Sequence, residues 1–212
     1  RPSTQFIHTL RQLCTTHNSI LIFDEVMTGF RVGLGCAQQL LNIKPDLTTL
    51  GKVIGGGMPL AGFGGKKEIM DCLAPIGSVY QAGTLSGNPI AVTAGLANLQ
   101  LIQQDDFYQN LNNLSQQLTH GLSKLAHAKG LAFSADYIGG MFGFYFLENS
   151  PTSFNAVKQA EQTVFNKFFH HMLDNGVFFA PSMFEAGFIC SMHTPEVINQ
   201  TLALAEDALA KF

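Results

Sequence analysis

Apolar residues recur early in the chain at Phe6, Leu10, Leu13 and Cys14, spaced i, i+4, i+7 and i+8. That period predicts a helix capped by Ser3 and ending near His17-Asn18. Residues 20–23 are continuously apolar and of strand length, the pattern of a parallel strand buried on both faces, and they stop at Asp24-Glu25. A short helix over 37–43 ends before Lys44-Pro45, and 47–50 reads as a second short strand. This alternation is the rhythm of an α/β layer built on a parallel sheet. Gly55-Gly56-Gly57-Met58-Pro59 predicts a tight turn, 79–82 a weak strand, and 89–104 a helix with Pro89 in its first turn.

Beyond residue 105 the pattern changes. Leu111, Leu114, Leu118, Leu122 and Leu125 form a leucine stripe along a long helix. The stripe is too short for sustained heptads, so it predicts core packing rather than a zipper. Residues 131–135, 141–147 and 177–180 read as strands and 154–173 as a helix. Thr194 and Pro195 open a final helix to residue 211. Most glycines fall within 20–100, so two domains are expected, 1–104 and 105–212, the second an α+β lobe.

Composition narrows the function classes. Charged residues make up 13% of the 212, about half the usual share. The net charge of −3 offers nucleic acid or an anionic membrane no attraction. The apolar stretch 90–102 is broken by Thr93, Asn98 and Gln100, so no membrane span is expected. Cys14, Cys36, Cys72 and Cys190 are too scattered for zinc spacing and read as small buried hydrophobes of a reducing, cytoplasmic compartment. No metal site is expected. Neither phosphate-binding glycine motif is present: Asp46 and Leu60 stand where G-x-x-x-x-G-K needs its first glycine, and Gly33-Leu34-Gly35 runs on to Gln38. The opening Arg1-Pro2-Ser3 lacks an initiator methionine and a signal segment, as expected of a piece of something longer.

Two strand ends carry chemistry. In open α/β sheets ligands sit at the carboxyl ends of strands, where Asp24 and Lys52 fall. Lys52, between an apolar strand and a triple-glycine loop, is expected to be desolvated and to serve as an amine nucleophile. Schiff-base chemistry on a pyridine cofactor needs such a lysine and a carboxylate facing the ring nitrogen.

The stretch Phe23-Asp24-Glu25-Val26-Met27-Thr28-Gly29-Phe30-Arg31 resembles a signature of the class III pyridoxal phosphate (PLP)-dependent aminotransferases, and Gly51-Lys52-Val53-Ile54-Gly55-Gly56-Gly57-Met58-Pro59 is similar to their cofactor-lysine segment. Tyr80-Gln81-Ala82-Gly83-Thr84-Leu85-Ser86-Gly87-Asn88-Pro89, Gly139-Gly140-Met141-Phe142-Gly143 and Ala180-Pro181-Ser182-Met183-Phe184-Glu185-Ala186-Gly187-Phe188 resemble the aminomutase branch of that class. The resemblance implies the fold-type-I PLP transferase architecture. Residues 1–104 would be the C-terminal part of the large, mixed-sheet PLP-binding domain, and 105–212 the small α+β C-terminal domain.

It also implies roles. Lys52 would bond the cofactor (PLP, or its pyridoxamine form PMP) and shuttle protons, Asp24 would pair with the ring nitrogen, and Val26 would pack on the ring face. Gly83 and Thr84 would bind the phosphate of a partner subunit's cofactor in a homodimer, and Glu185 and Tyr80 would lie on the substrate side. The reaction implied is intramolecular amino transfer converting glutamate-1-semialdehyde to 5-aminolevulinate, for tetrapyrrole synthesis. A phosphate loop, a ring-stacking aromatic and a gating loop would belong to a missing N-terminal half, leaving this chain inactive alone.

Two alternatives stand beside that reading. One is a class III ω-aminotransferase with a keto-acid acceptor, which commonly carries a C-terminal arginine; the arginines here are Arg1, Arg11 and Arg31. The other is a non-catalytic interaction protein of the same fold, which would be expected to lose Lys52 or Asp24. Glu25 is expected to anchor a neighbouring loop, His170 and His171 to face solvent, and His193 to be structural.

Overall fold

The structure is a computed structural model describing residues 1–212. The chain forms two compact units, Arg1–Asp105 and Asp106–Phe212.

The first unit runs α1 (Thr4–Thr16), β1 (Ile22–Asp24), α2 (Cys36–Leu40), β2 (Leu47–Leu50), a 3-10 turn (Lys52–Gly55), β3 (Gly62–Gly65), α3 (Lys67–Met70) and α4 (Pro89–Ile102). Its sheet has the order β1-β2-β3, with β1 parallel and β3 antiparallel to β2. Asp46 ties three elements together. Its buried carboxylate accepts from the Leu21 amide at 2.7 Å and from Arg11 of α1 at 2.8 Å, and pairs with Lys66 after β3 at 2.6 Å.

Several expectations shift in this unit. The apolar run 20–23 becomes a strand only from Ile22, and Ile22 is 54% exposed rather than buried on both faces. The reason is topological: β1 lies at the edge of a three-stranded sheet. In α1 the buried residue is Ile7, while Phe6 and Leu13 of the expected stripe are exposed. The helix expected over 37–43 is Cys36–Leu40. The strand expected over 79–82 reduces to one bridge between Leu73 and Val79. Strand β3 was not expected, because three of the four residues in Gly-Phe-Gly-Gly are glycine, which is depleted in strands. Glycine is required at its last position, since a Cβ on Gly65 would collide with the Asp46 carbonyl.

The second unit contains α5 (Phe107–Ala128), β4 (Ser134–Ile138), β5 (Met141–Tyr145), α6 (Phe154–Val157), α7 (Gln162–Asp174), β6 (Gly187–Phe188) and α8 (Pro195–Leu209). Its antiparallel sheet has the order β4-β5-β6. The leucine stripe of α5 is core, with Leu118 and Leu122 fully buried. Phenylalanines fill the rest: the Phe144 ring meets Phe133, Phe168 and Phe179 at centroid distances of 5.8, 5.6 and 5.4 Å. The strand expected over 131–135 starts instead at Ser134, because Leu131 still donates to Ala126 in the exit turn of α5. The helix expected over 154–173 splits in two, with Glu161 between the halves donating to Phe146 at 3.4 Å. Residues 177–180 join no ladder; Val177 caps α7 through the Met172 carbonyl, after Gly176 turns the chain at φ +84°.

Candidate functional site

Asp24 ends β1 opposite Thr49 of β2, and Lys52 follows three residues beyond Thr49 on the neighbouring, parallel strand. Both side chains therefore emerge at the carboxyl end of the sheet, as expected of a ligand-binding edge. The Asp24 carboxylate is oriented by its own surroundings. Its Oδ1 accepts from the Val26 amide at 3.0 Å and from the Thr49 hydroxyl at 3.2 Å. Its Oδ2 makes no hydrogen bond, which leaves one exposed carboxylate oxygen for a cationic donor.

Val26 is half-buried, and its methyls stand 3.3 and 3.6 Å from where a Cβ on Gly51 would lie. Glycine at 51 thus keeps a gap beside an apolar face, immediately before the lysine. Lys52 adopts φ +47°, a left-handed conformation uncommon outside glycine. Its ammonium has no hydrogen-bond or ion-pair partner and is exposed to solvent. The expected desolvation is absent, because Lys52 stands exposed at the start of the turn that follows β2.

Glu25 does what its anchoring role required. It is 1% exposed, and its carboxylate accepts from the Ala37 amide at 3.0 Å, the Gln38 amide at 2.8 Å and the Thr28 hydroxyl. Gly35 offers α2 no side-chain cap, so Glu25 supplies one from a distance and fixes the loop behind Asp24. Cys36 lies beside it. Burial pushes that thiol up, against the Phe30 amide that donates to it, with the Glu25 charge adding to the rise. Cys36 is accordingly an inert core thiol.

The remaining candidates lie elsewhere. Tyr80, 83% exposed, and Gly83 and Thr84 belong to an exposed loop ahead of α4. None of the three hydrogen-bonds to Asp24, Val26 or Lys52; the loop is shaped by Ser86 donating to the Gly83 carbonyl at 2.9 Å. Glu185 belongs to the second unit. There it helps line a cavity of about 620 Å³ with Phe178, Pro181, Phe188 and His193, and its amide donates to Ser182 at 3.0 Å. Sequence reasoning missed Thr49, although two threonines in so short a strand were a visible signal. It also missed Asn98, whose side chain donates to the Val53 carbonyl at 2.6 Å. No cluster of three or more potential metal ligands exists, and no helix is long and apolar enough to cross a membrane.

Comparison with known proteins identifies the family. The chain is 59% identical over 210 residues to a glutamate-1-semialdehyde 2,1-aminomutase of Nitrosospira multiformis, covering 99% of this chain and 49% of that protein. It is 57% identical over 206 residues to a protein of the same description from Nitrosomonas europaea, covering 97% and 47%. The chain thus spans about half the length of the curated relatives it matches. Among solved structures, one described as a transaminase with PLP bound superposes with a TM-score of 0.86 at 25% identity, covering 99% of this chain and 48% of that one. The two units therefore have the α/β architecture of PLP-dependent aminotransferases. The aminotransferase class-III family model matches residues 1–204, and the chain belongs to that family.

Proposed function

We propose that this chain supplies the lysine-bearing half of a PLP-dependent aminomutase that converts glutamate-1-semialdehyde to 5-aminolevulinate. The observation that carries the reading is the emergence of Asp24 and Lys52 at the carboxyl ends of paired parallel strands. Identity of 57–59% to proteins described as that aminomutase supports it. The residues present fit the cofactor: a carboxylate with one oxygen uncommitted, an apolar Val26 face beside a glycine, and a lysine with no partner.

PLP, when bound, supplies an electron sink for carbanion chemistry at the substrate carbons. The chain's own residues supply the rest. Asp24, oriented by Val26 and Thr49, keeps a proton on the ring nitrogen. Val26 shields one ring face from water. The Lys52 amine removes a proton from one substrate carbon and returns it at the neighbouring one. The amino group leaves one carbon and arrives at the adjacent aldehyde carbon, whose oxygen departs as water while a water supplies the new carbonyl oxygen at the first carbon. Product and substrate are therefore isomers, and no external acceptor is consumed.

Gly83 and Thr84, on an exposed loop, hold a partner subunit's cofactor phosphate in a homodimer through a backbone amide and a hydroxyl. Glu185 and Tyr80 face the substrate. Residues 1–104 act as the later part of a large PLP-binding domain and 105–212 as a small C-terminal domain, in a cytoplasmic enzyme of tetrapyrrole synthesis. Because the chain spans half of its relatives, it is inactive until the complementary half is present.

Assay of the complete protein with glutamate-1-semialdehyde, with and without pyruvate or 2-oxoglutarate, tests the reaction. Product is expected without any keto acid; a requirement for one would replace the aminomutase reading with a transaminase. Added PLP is expected to give a visible absorbance that Lys52→Ala removes.

A further inference from the structure

The turn that carries Lys52 is held from outside itself. Within it, Ile54 donates to the Gly51 carbonyl at 3.2 Å and Gly56 to the Val53 carbonyl at 3.0 Å. Those two bonds close a 3-10 turn, a poorer geometry than an α-helix. They leave Lys52 at φ +47° with no help from a glycine at that position. A non-glycine residue stays in that region only when its surroundings impose it. Here the surroundings are α4.

The Asn98 amide, on α4, donates to the Val53 carbonyl at 2.6 Å, so that carbonyl accepts two bonds, one from each side. The helix gets this close because position 95 is glycine. A Cβ there would collide with the Ile54 carbonyl and come within 2.6 Å of Leu60 Cδ2. Gly56, at φ +57°, is as tightly placed: a Cβ on it would lie 2.8 Å from the Ala94 carbonyl oxygen and 3.1 Å from Asn98 Cβ. Every residue from Val53 to Gly56 except Gly55 thus meets α4, and Asn98 provides the directional contact.

We propose that Asn98 is a positioning residue for Lys52: its bond to the Val53 carbonyl holds the backbone from which the lysine projects, and Gly95 admits the helix to make that bond. The inference rests on Lys52 being the cofactor lysine. Without the Asn98 donor the Val53 carbonyl keeps only the Gly56 bond, and the turn is free to open toward the commoner negative-φ form. That change rotates the Cα–Cβ direction of Lys52, so the amine is aimed elsewhere while the sheet beneath is unaltered.

The test uses the full chain with PLP. Cofactor is fixed to lysines with borohydride, and the share on Lys52 is compared with that on Lys44, Lys66 and Lys67 by peptide mapping. Asn98→Leu, similar in size but without a donor, is expected to lower the Lys52 share about fivefold, the equilibrium equivalent of one hydrogen bond. Asn98→Gln, which restores an amide, is expected to recover part of it.

A second measurement needs no cofactor. Hydrogen exchange at the Ile54 and Gly56 amides is expected to quicken about fivefold in Asn98→Leu and in Gly95→Ala, with residues 106–212 unaffected. Unchanged exchange in both variants would overturn the proposal. Faster exchange with an unchanged Lys52 share would overturn it too, leaving Asn98 a structural contact only. The Lys52→Ala control separates the two ideas. If that variant fixes as much cofactor as the parent, the reading of Lys52 fails, while the exchange rates still judge Asn98.

Discussion

Asp46 has no place in the proposed chemistry, yet its side chain is 4% exposed and charged. A buried carboxylate is tolerated only when its partners replace the lost water. The Leu21 amide contributes most, followed by the Lys66 and Arg11 side chains, and together they hold the carboxyl well below the usual range. The folded-state value is therefore depressed relative to the unfolded chain. The resulting stability is fully present above the unfolded pKa of about 4 and is lost as pH falls below it. Asp46→Asn keeps the shape but removes the charge beside Arg11 and Lys66, and is expected to destabilise the first unit by about 2–3 kcal/mol at neutral pH. Thermal unfolding of parent and variant at pH 7 and pH 3 checks this, since the difference should shrink in acid. The pair Lys67–Asp71, with the lysine exposed, carries no such expectation.

Helix α4 is where sequence and structure meet most closely. Its start is set by Asn88, which accepts from the Ala91 amide at 2.9 Å, with Pro89 in the first turn. Asn88→Ala is expected to cost about 1 kcal/mol. Hydrogen exchange should show the loss confined to the first turn of α4, with α5 unchanged. Helix α4 was legible from Pro89 in its first turn and α5 from its leucine stripe, both local properties of the chain. The paired motifs around Asp24 and Lys52 were legible for the same reason. Strands β3 and β6 were not. Gly62–Gly65 and Gly187–Phe188 pair because their partners lie alongside them, which no local propensity records. Asn98 was hidden differently: it looked like an interruption in an apolar stretch, and only the approach of α4 to the Lys52 turn gives its amide a partner.

The two units differ in how much apolar surface they cover. In the second, Phe133, Phe168, Met172 and Leu122 are essentially inaccessible and belong to one continuous core. In the first, the buried apolar set is short, while Phe6, Ile20, Ile22, Leu85, Ile90 and Leu96 are exposed. Helix α4 is apolar nearly all round, a pattern of helices buried on every side, yet Ile90 is 67% exposed. Both units are equally poor in charge, with 13 charged residues in 1–105 and 14 in 106–212, so it is the uncovered apolar surface that is concentrated in the unit bearing Asp24 and Lys52. Local stability should follow burial. Amides of α5 and α7 are expected to exchange more than about tenfold slower than those of β1 and α1 in the same chain. An apolar fluorescent dye should bind residues 1–105 in preference to 106–212, because extended exposed apolar surface is what such dyes report. On the proposed function, adding the complementary half of the enzyme should displace that dye and slow exchange in β1. Dye bound equally to both units, or undisturbed by the added half, would mean that these faces are not the surface the rest of the enzyme covers.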